Sequence, residues 1–328
     1  MNLIEKYLVY IRDIRRYSER TVRNYGDVLK TFCDVIHHDD MVSDEELAAS
    51  MNVSELRTYE VKLLEMGLSP KTVNMHMSAL SGFCRFLMKE EVLASNPVKL
   101  VAKPKVEKRL PAFFKAEAMN DFLSRTSHFL DPSEVEAFLD GWHTKSGKEY
   151  YDGMLSRMII AILYSLGLRR AELVALSVGD VDFGRNVVKV RGKGDKMREI
   201  PLIASLSQEI LLYLKAVETM CGGKRSLKEP LLVTYKGSKL YPVYVDRAVK
   251  SELKGQKGIT GRKSPHVLRH SLATELMNGG ADIYSIKEML GHSSLATTQV
   301  YTHSSIAQLK NSYEQAHPRA KNGGKHGD

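Results

Sequence analysis

The sequence predicts a mainly α-helical protein with a small antiparallel β-sheet, divided into an N-terminal helical bundle and a larger α+β domain. Apolar residues recur at helical spacing through the first hundred residues, and the proline-bracketed stretch Lys103–Pro111 follows them. Two short alternating segments, Asn186–Val190 and Arg198–Leu202, flank a glycine-containing turn and predict a hairpin. A chain of 328 residues fits about two domains of roughly 150 residues each. We expect domain one over residues 1–102, a linker over 103–112, domain two over 113–320 and a polar tail over 321–328.

The first domain is predicted to be a bundle of amphipathic helices. Its first two apolar stripes are Leu3, Tyr7, Tyr10, Ile11 and Ile14, then Val22, Tyr25, Leu29, Phe32, Val35 and Ile36. Ser18 and the pair Ser69–Pro70 are typical helix starts, and a further apolar face runs through Val73–Leu93. We assign these apolar residues to the core of the bundle.

In the second domain a helical pattern resumes at Phe113, and Gly141–Gly153 predicts an interruption of it. After the hairpin, helices are expected from Ser205 to Met220 and from Val267 to Asn278. Ser264–Pro265 provides a start for the last of these, and Gly279–Gly280 provides a stop.

The composition favours a polyanionic partner. The chain has 48 Lys and Arg against 39 Asp and Glu, a formal net charge of +9, and a hydrophobic fraction of 43% that can fill two cores. The longest apolar run, Met158–Tyr164, is far shorter than the roughly 20 residues needed to cross a bilayer. The start of the chain also lacks the pattern of a secretory signal.

The cysteines favour a reducing compartment. Cys33, Cys84 and Cys221 are odd in number and lack C-x-x-C spacing, so neither a disulfide framework nor a zinc module is indicated. We expect a cytoplasmic protein.

A short stretch near the C-terminus concentrates cations and a hydroxyl nucleophile. It contains Ser264–His270, Leu290–His292 and Gln299–Tyr301. A guanidinium fork suits phosphate oxygens, imidazoles donate hydrogen bonds or move protons, and a tyrosine hydroxyl can attack phosphorus. His266 and His270 have the i, i+4 spacing of a zinc pair, but the Glu of H-E-x-x-H is missing. Phosphate chemistry is therefore favoured over zinc.

Together with two earlier segments, this stretch resembles the tyrosine recombinase (lambda-type integrase) family, and within it the Xer site-specific recombinases. The motifs are G-L-R-x-x-E-L at Gly167–Leu173, G-K-G at Gly192–Gly194, S-P-H-x-L-R-H at Ser264–His270, L-G-H at Leu290–His292 and T-T-Q-x-Y-T-H at Thr297–His303. The resemblance extends to Tyr17–Tyr25, Leu68–Val73, Asn96–Pro97 and His317–Ala320, and so covers nearly the whole chain.

The resemblance implies that the second domain breaks and rejoins DNA strands, with Tyr301 as the nucleophile that forms a 3′-phosphotyrosyl link. It also implies that Arg169 and Arg269 bind the phosphate oxygens, that His266 is the base and that Lys193 is the general acid. His292 would donate a further hydrogen bond to the phosphate, and Glu172 would orient the active-site groups. The link stores the energy of the broken bond, so no cofactor, ATP or metal is expected. The chain accordingly lacks G-x-x-x-x-G-K-[ST].

The partner that the resemblance implies is double-stranded DNA with a specific recombination site. Candidate DNA-binding residues are the basic positions Arg15, Arg16, Arg20, Arg23, Lys71, Lys103 and Lys105. A homo- or heterotetramer on two duplexes follows from the resemblance, with a second Xer-like recombinase and a DNA-translocase activator as further candidate partners. The apolar stripe Ile306, Leu309 and Tyr313 would pack either on its own domain or on a neighbouring subunit.

The favoured function is resolution of chromosome or plasmid dimers through a Holliday junction. The alternatives are the integrase of a mobile element, a type IB topoisomerase that relaxes DNA without a target site, and a DNA-binding protein without catalysis. The full catalytic set weighs against the last, and the lack of an obvious extra N-terminal domain favours dimer resolution over the integrase.

Overall fold

The computed structural model describes residues 1–38, 42–106, 113–192, 195–259, 261–291 and Tyr313. The chain divides into two compact units, Met1–Arg109 and Leu110–Asp328. No helix within the described ranges is long and apolar enough to span a membrane. The predicted fold class, mainly helical with a small antiparallel sheet, is confirmed.

Over its described residues, 1–38 and 42–106, the N-terminal unit is a bundle of five α-helices around one apolar core. They are α1 (Leu3–Val9), α2 (Glu19–His37), α3 (Asp44–Ser50), α4 (Val53–Glu65) and α5 (Pro70–Lys89), followed by a 3₁₀ turn at Pro97–Leu100. The predicted helix starts are confirmed, since the Ser18 and Ser69 hydroxyls accept the Thr21 and Thr72 N–H groups, both at 3.2 Å.

The first apolar stripe is only partly in the core. Leu3, Tyr7 and Ile11 are buried, but Ile14 is 68% exposed. The expectation of Ile14 in the core was wrong because the backbone widens to a π-helix over Tyr10–Ile14, which rotates its last residue off the α-helical face.

A buried polar pair joins α4 to α5 in this unit. The Tyr59 hydroxyl lies 2.8 Å from His76 Nδ1, and His76 is 8% exposed. Burial lowers the pKa of His76 below its usual value.

Acidification is expected to destabilise this unit. Because the pKa of His76 is lower in the folded protein than in the unfolded chain, the unfolded chain takes up the proton first as pH falls. The free energy of unfolding therefore decreases as pH decreases from about 7.5 to about 5.5. Urea midpoints of the full chain at the two pH values would measure this. The His76→Gln variant should lose part of the dependence, and the exposed His143→Gln variant should keep all of it. Identical pH dependence in all three proteins would contradict the prediction.

The second unit contains eight α-helices in the part that the structure describes. They are α6 (Ala116–Arg125), α7 (Pro132–Gly141), α8 (Lys145–Leu166), α9 (Arg170–Ala175), α10 (Ala204–Cys221), α11 (Pro242–Glu252), α12 (Pro265–Asn278) and α13 (Ile283–Leu290), with 3₁₀ turns at Ser127–Leu130 and Val178–Asp180. The two helices expected after the hairpin correspond to α10 and α12.

The expected interruption over Gly141–Gly153 is confirmed only over residues 142–144, because α7 ends at Gly141 and α8 already begins at Lys145. The glycines there allow close packing inside helical structure. A Cβ at Gly147 would lie 2.4 Å from the Gly141 carbonyl oxygen, and one at Gly153 would lie 2.4 Å from the Phe129 ring.

The sheet has three antiparallel strands in the order β1 (Val181–Asp182), β2 (Val187–Arg191), β3 (Met197–Pro201). Strands β2 and β3 form the predicted hairpin. In it, Val188 lies opposite Ile200 and Val190 lies opposite Arg198. The short strand β1 was not predicted, since two residues are too few to show a periodicity.

Helix α8 is the centre of the second core, because α10, α11 and α12 all pack against it. Every residue from Met154 to Leu166 is buried. Ser156, Arg157 and Ser165 are the polar members of this otherwise apolar run. A helix that is apolar on all sides needs neighbours all round, and its C-terminal end therefore lies inside the unit.

Candidate active site

The first part of the site forms where α8 ends and α9 begins. Gly167 ends α8 in the left-handed conformation with φ +60, and a Cβ there would lie 2.5 Å from Leu290 Cδ2. This tight turn leads into Arg169 and Glu172. Glu172 accepts hydrogen bonds from the Arg169 N–H at 2.8 Å and from Arg169 Nη1 at 2.7 Å.

A second arginine reaches the same carboxylate from β3. Arg198 Nη1 donates to Glu172 Oε1 at 3.0 Å and Arg198 Nη2 donates to Glu172 Oε2 at 2.8 Å. This is the bidentate geometry that fixes both planes. Both side chains are 5% exposed.

The third arginine comes from α12. Arg269 Nη1 donates to the Gly167 carbonyl at 2.6 Å and lies 3.9 Å from Glu172 Oε2, and its side chain is 8% exposed. We name the four side chains Arg169, Glu172, Arg198 and Arg269 the arginine cluster.

The C-terminal end of α13 holds all three guanidinium groups. Three successive carbonyls accept one hydrogen bond each: Met289 O from Arg198 Nε at 2.7 Å, Leu290 O from Arg269 Nη2, and Gly291 O from Arg169 Nη2 at 2.7 Å. The last carbonyls of a helix lack intrahelical partners and carry partial negative charge, so they suit cationic donors.

The charges in the cluster do not cancel. Three guanidinium groups against one carboxylate leave a net charge of +2. Burial, together with repulsion from Arg169 and Arg198, lowers the pKa of Arg269 to about 10, so the group still keeps its proton at neutral pH. Burial alone would raise the pKa of Glu172, but hydrogen bonds from Arg198 and Arg169 outweigh it and bring that pKa below its usual range.

The Arg169 side chain is 35% exposed, so it is the most accessible cation of the cluster. Its Nη1 and Nη2 atoms each make one bond to the protein, and a guanidinium group has five N–H donors. The cluster can therefore present free donors and excess positive charge to an anion at its open side.

The structure brings together three of the predicted site residues, namely Arg169, Glu172 and Arg269. His266 lies in the first turn of α12, exposed and one turn before Arg269. The remaining three, Lys193, His292 and Tyr301, lie outside the described residues, although Gly192 and Gly291, which precede two of them, are described.

Arg198 was given no role by the sequence reasoning. Strand periodicity offered a signal, because Arg198 shares its face of β3 with the buried Ile200. A charged residue at an inward strand position requires a buried partner.

The candidate DNA-binding residues are exposed in the first unit. Arg15, Arg16, Arg20 and Arg23 extend from the end of the π-helix into the first turns of α2. Lys71 lies in the first turn of α5, one turn before Asn74, whose Nδ2 donates to the Pro104 carbonyl at 3.0 Å. This bond places Lys103 and Lys105, which flank Pro104, on the Asn74 side of α5.

Tyr313 packs against its own unit. It is 2% exposed, and its hydroxyl donates to the Ser165 carbonyl in α8. Of the predicted stripe, Ile306 and Leu309 lie outside the described residues.

Solved structures of integrases share this fold. Lambda integrase, as a dimer bound to a COC′ core site, matches with a TM-score of 0.61 and 15% identity over 91% of this chain and 98% of that one. The Tn1549 transposon integrase in complex with a circular intermediate DNA matches with a TM-score of 0.58 and 21% identity over 94% and 98%. This chain therefore has the fold of these two integrases.

Sequence comparisons establish the family. The phage integrase family matches residues 128–308, and the phage integrase N-terminal SAM-like domain matches residues 4–91. A tyrosine recombinase XerC of Chlorobaculum parvum is 32% identical over 97% of this chain and 94% of its own length, and one of Bacillus subtilis is 32% identical over 97% of both. The chain belongs to the phage integrase family of tyrosine recombinases, as the sequence motifs predicted.

Proposed function

We propose that the chain is a site-specific recombinase that exchanges DNA strands through covalent attachment to Tyr301. The observation that carries the proposal is the arginine cluster, with its excess charge of +2 and its accessible Arg169, within a family of tyrosine recombinases. A phosphodiester carries one negative charge and gains more on its equatorial oxygens during attack, so preorganised guanidinium donors stabilise the transition state.

The Tyr301 oxygen attacks the scissile phosphorus, the bond from phosphorus to the 5′-oxygen breaks, and His266 takes the phenol proton. Lys193 gives a proton to the departing 5′-oxygen, and His292 donates a hydrogen bond to the phosphate. A 5′-hydroxyl from the partner duplex then attacks the phosphotyrosyl link and releases Tyr301, so the reaction needs no ATP.

The proposed assembly is four protomers on two duplexes with a Holliday-junction intermediate, in the cytoplasm. The exposed residues Arg15, Arg16, Arg20, Arg23, Lys71, Lys103 and Lys105 are proposed to contact phosphates, which fix the position of the protein without reading sequence. The relatives named XerC and XerD support resolution of chromosome or plasmid dimers. A second recombinase and a DNA translocase are proposed as partners. On this proposal residues 1–102 are the core-DNA-binding domain, 113–320 the catalytic domain and 321–328 a polar tail.

Covalent capture on nicked suicide substrates tests this function. The full chain is incubated without ATP and with a metal chelator on three duplexes: a dimer-resolution site, a mobile-element end, and a scrambled control. We expect a denaturation-resistant adduct on the dimer-resolution site. An adduct on the mobile-element end alone would assign the chain to integration, attachment to all three would indicate a topoisomerase, and attachment to none would contradict the proposal.

A further inference from the structure

We propose that Arg198 is a positioning residue for strand cleavage, which fixes the Glu172 carboxylate and thereby the orientation of Arg169 toward the scissile phosphate. The inference rests on the proposed recombinase function and adds a residue to its site. The inference is supported by the bidentate contact of Arg198 with Glu172, with hydrogen bonds of 3.0 and 2.8 Å.

Arg198 is bound within the cluster through every nitrogen of its side chain. All three nitrogens donate to protein oxygens, two on Glu172 and one on Met289, and the side chain is 5% exposed. Arg169, by contrast, is 35% exposed. The two arginines share one carboxylate, so the buried one holds it while the exposed one presents free donors.

The contact determines where Arg169 lies. Glu172 Oε1 accepts from both Arg198 Nη1 and Arg169 Nη1, and Glu172 Oε2 accepts from Arg198 Nη2 and the Arg169 backbone N–H. Without Arg198 the carboxylate would keep only its hydrogen bonds from Arg169, so its orientation and that of the Arg169 side chain would be less tightly fixed. Misplacement of a catalytic group by about 1 Å can cost on the order of 100-fold in rate.

Arg198 also packs against both glycines that precede predicted catalytic residues. A Cβ at Gly291 would lie 3.2 Å from Arg198 Nη1, and one at Gly192 would lie 3.4 Å from the same atom. Gly192 is followed by Lys193 and Gly291 by His292. One guanidinium group therefore lies beside the chain at both points where it leads to the proposed general acid and the proposed phosphate ligand.

Arg198 also keeps Glu172 ionised. The charged groups that face this carboxylate are Arg169 from α9, Arg198 from β3 and Arg269 from α12. Burial opposes ionisation of Glu172, and the hydrogen bonds from Arg198 and Arg169 restore it. Removal of Arg198 should therefore let Glu172 take up a proton at a higher pH than in the wild-type protein.

The test is the single-turnover rate of adduct formation on the suicide substrate between about pH 5 and pH 9. For Arg198→Met we expect a rate lower by about 10- to 100-fold at neutral pH, an unchanged affinity for DNA, and an acid limb moved to higher pH. Arg198→Lys keeps the positive charge but lacks the two parallel N–H donors of the guanidinium group. Its acid limb should therefore lie near that of the wild-type protein, while its rate should stay below the wild-type rate.

The matched control is Arg157→Met, because Arg157 is 4% exposed in the same unit and donates to Glu209 at 2.5 Å. It should lower thermal stability but leave the pH profile in place. Wild-type rate and acid limb in Arg198→Met, or losses equal to those of Arg157→Met, would overturn the inference alone. Absence of an adduct from the wild-type chain would instead overturn the proposed function on which it rests. If Arg198→Met does not fold, Arg198→Lys is measured instead, and a wild-type rate there would also overturn the inference.

Discussion

The Tyr301→Phe variant is expected to form no covalent adduct with DNA, while its affinity for the same duplex changes by less than about twofold. Loss of the hydroxyl removes the only protein atom that the proposed reaction joins to phosphorus. Phosphate contacts from arginine and lysine side chains dominate affinity for DNA and do not involve that atom. Denaturing gels of the suicide-substrate reaction measure the first quantity, and gel-shift titration measures the second.

Tyr313→Phe is the matched control, because Tyr313 follows Tyr301 by twelve positions and its hydroxyl serves packing. The Tyr313 hydroxyl donates to the Ser165 carbonyl inside the unit, so its loss should lower stability by about 1 kcal/mol and leave adduct formation intact. A covalent adduct with Tyr301→Phe would eliminate Tyr301 as the nucleophile. Loss of the adduct in both variants would show that the effect is one of folding.

The Arg269→Met variant is expected to slow adduct formation by roughly 100- to 1000-fold, the cost of one preorganised donor to a developing oxyanion. Arg269 is held by the carbonyls of Gly167 and Leu290, which fix its plane before DNA arrives. Its pKa of about 10 keeps it charged throughout the neutral range, so the loss should be the same from about pH 6 to pH 9. Rates at saturating DNA would separate this loss from any change in binding.

Arg225→Met is the control for the structural part of this effect. Arg225 is also a buried arginine, 3% exposed, and donates to the carbonyls of Pro230 at 2.6 Å and Leu231 at 3.4 Å. Both variants should lose stability, since each leaves buried carbonyls unpaired at about 1 to 3 kcal/mol each. Only Arg269→Met should lose the chemical step, and an equal loss of rate in the two would remove Arg269 from the proposed mechanism.

Much of the fold could be predicted because its signals are local. Ser18 and Ser69 predict helices that begin one residue later, and the alternation of apolar and polar residues after Asn186 predicts the hairpin. The error over residues 145–153 arose because glycine has two uses that a sequence does not separate. At Gly147 and Gly153 its lack of a side chain serves close contact within helical structure, with no break in α8 at either position.

The site was predictable where it depended on chemical type and not where it depended on contact. Arg169 and Arg269 stand in recognisable motifs, and the structure brings both to Glu172. Arg198 stands in the stretch after Gly192–Gly194, where several cations occur and only the pleat of β3 turns this one inward. The carbonyls of Met289, Leu290 and Gly291 carry no sequence signal, because every residue has one.

Because of those three carbonyls, the arginine cluster can be completed only late in the synthesis of the chain. The bonds that they accept join residues 91, 21 and 122 positions apart, and the bond from Arg269 to Gly167 spans 102. Contacts of such large sequence separation form late, because the intervening chain must first be closed into a loop. A nascent chain that lacks α13 has the arginines and Glu172 but not the three carbonyls that fix the guanidinium groups. We therefore expect cleavage of DNA to appear only after α13 has been synthesised and has packed against them.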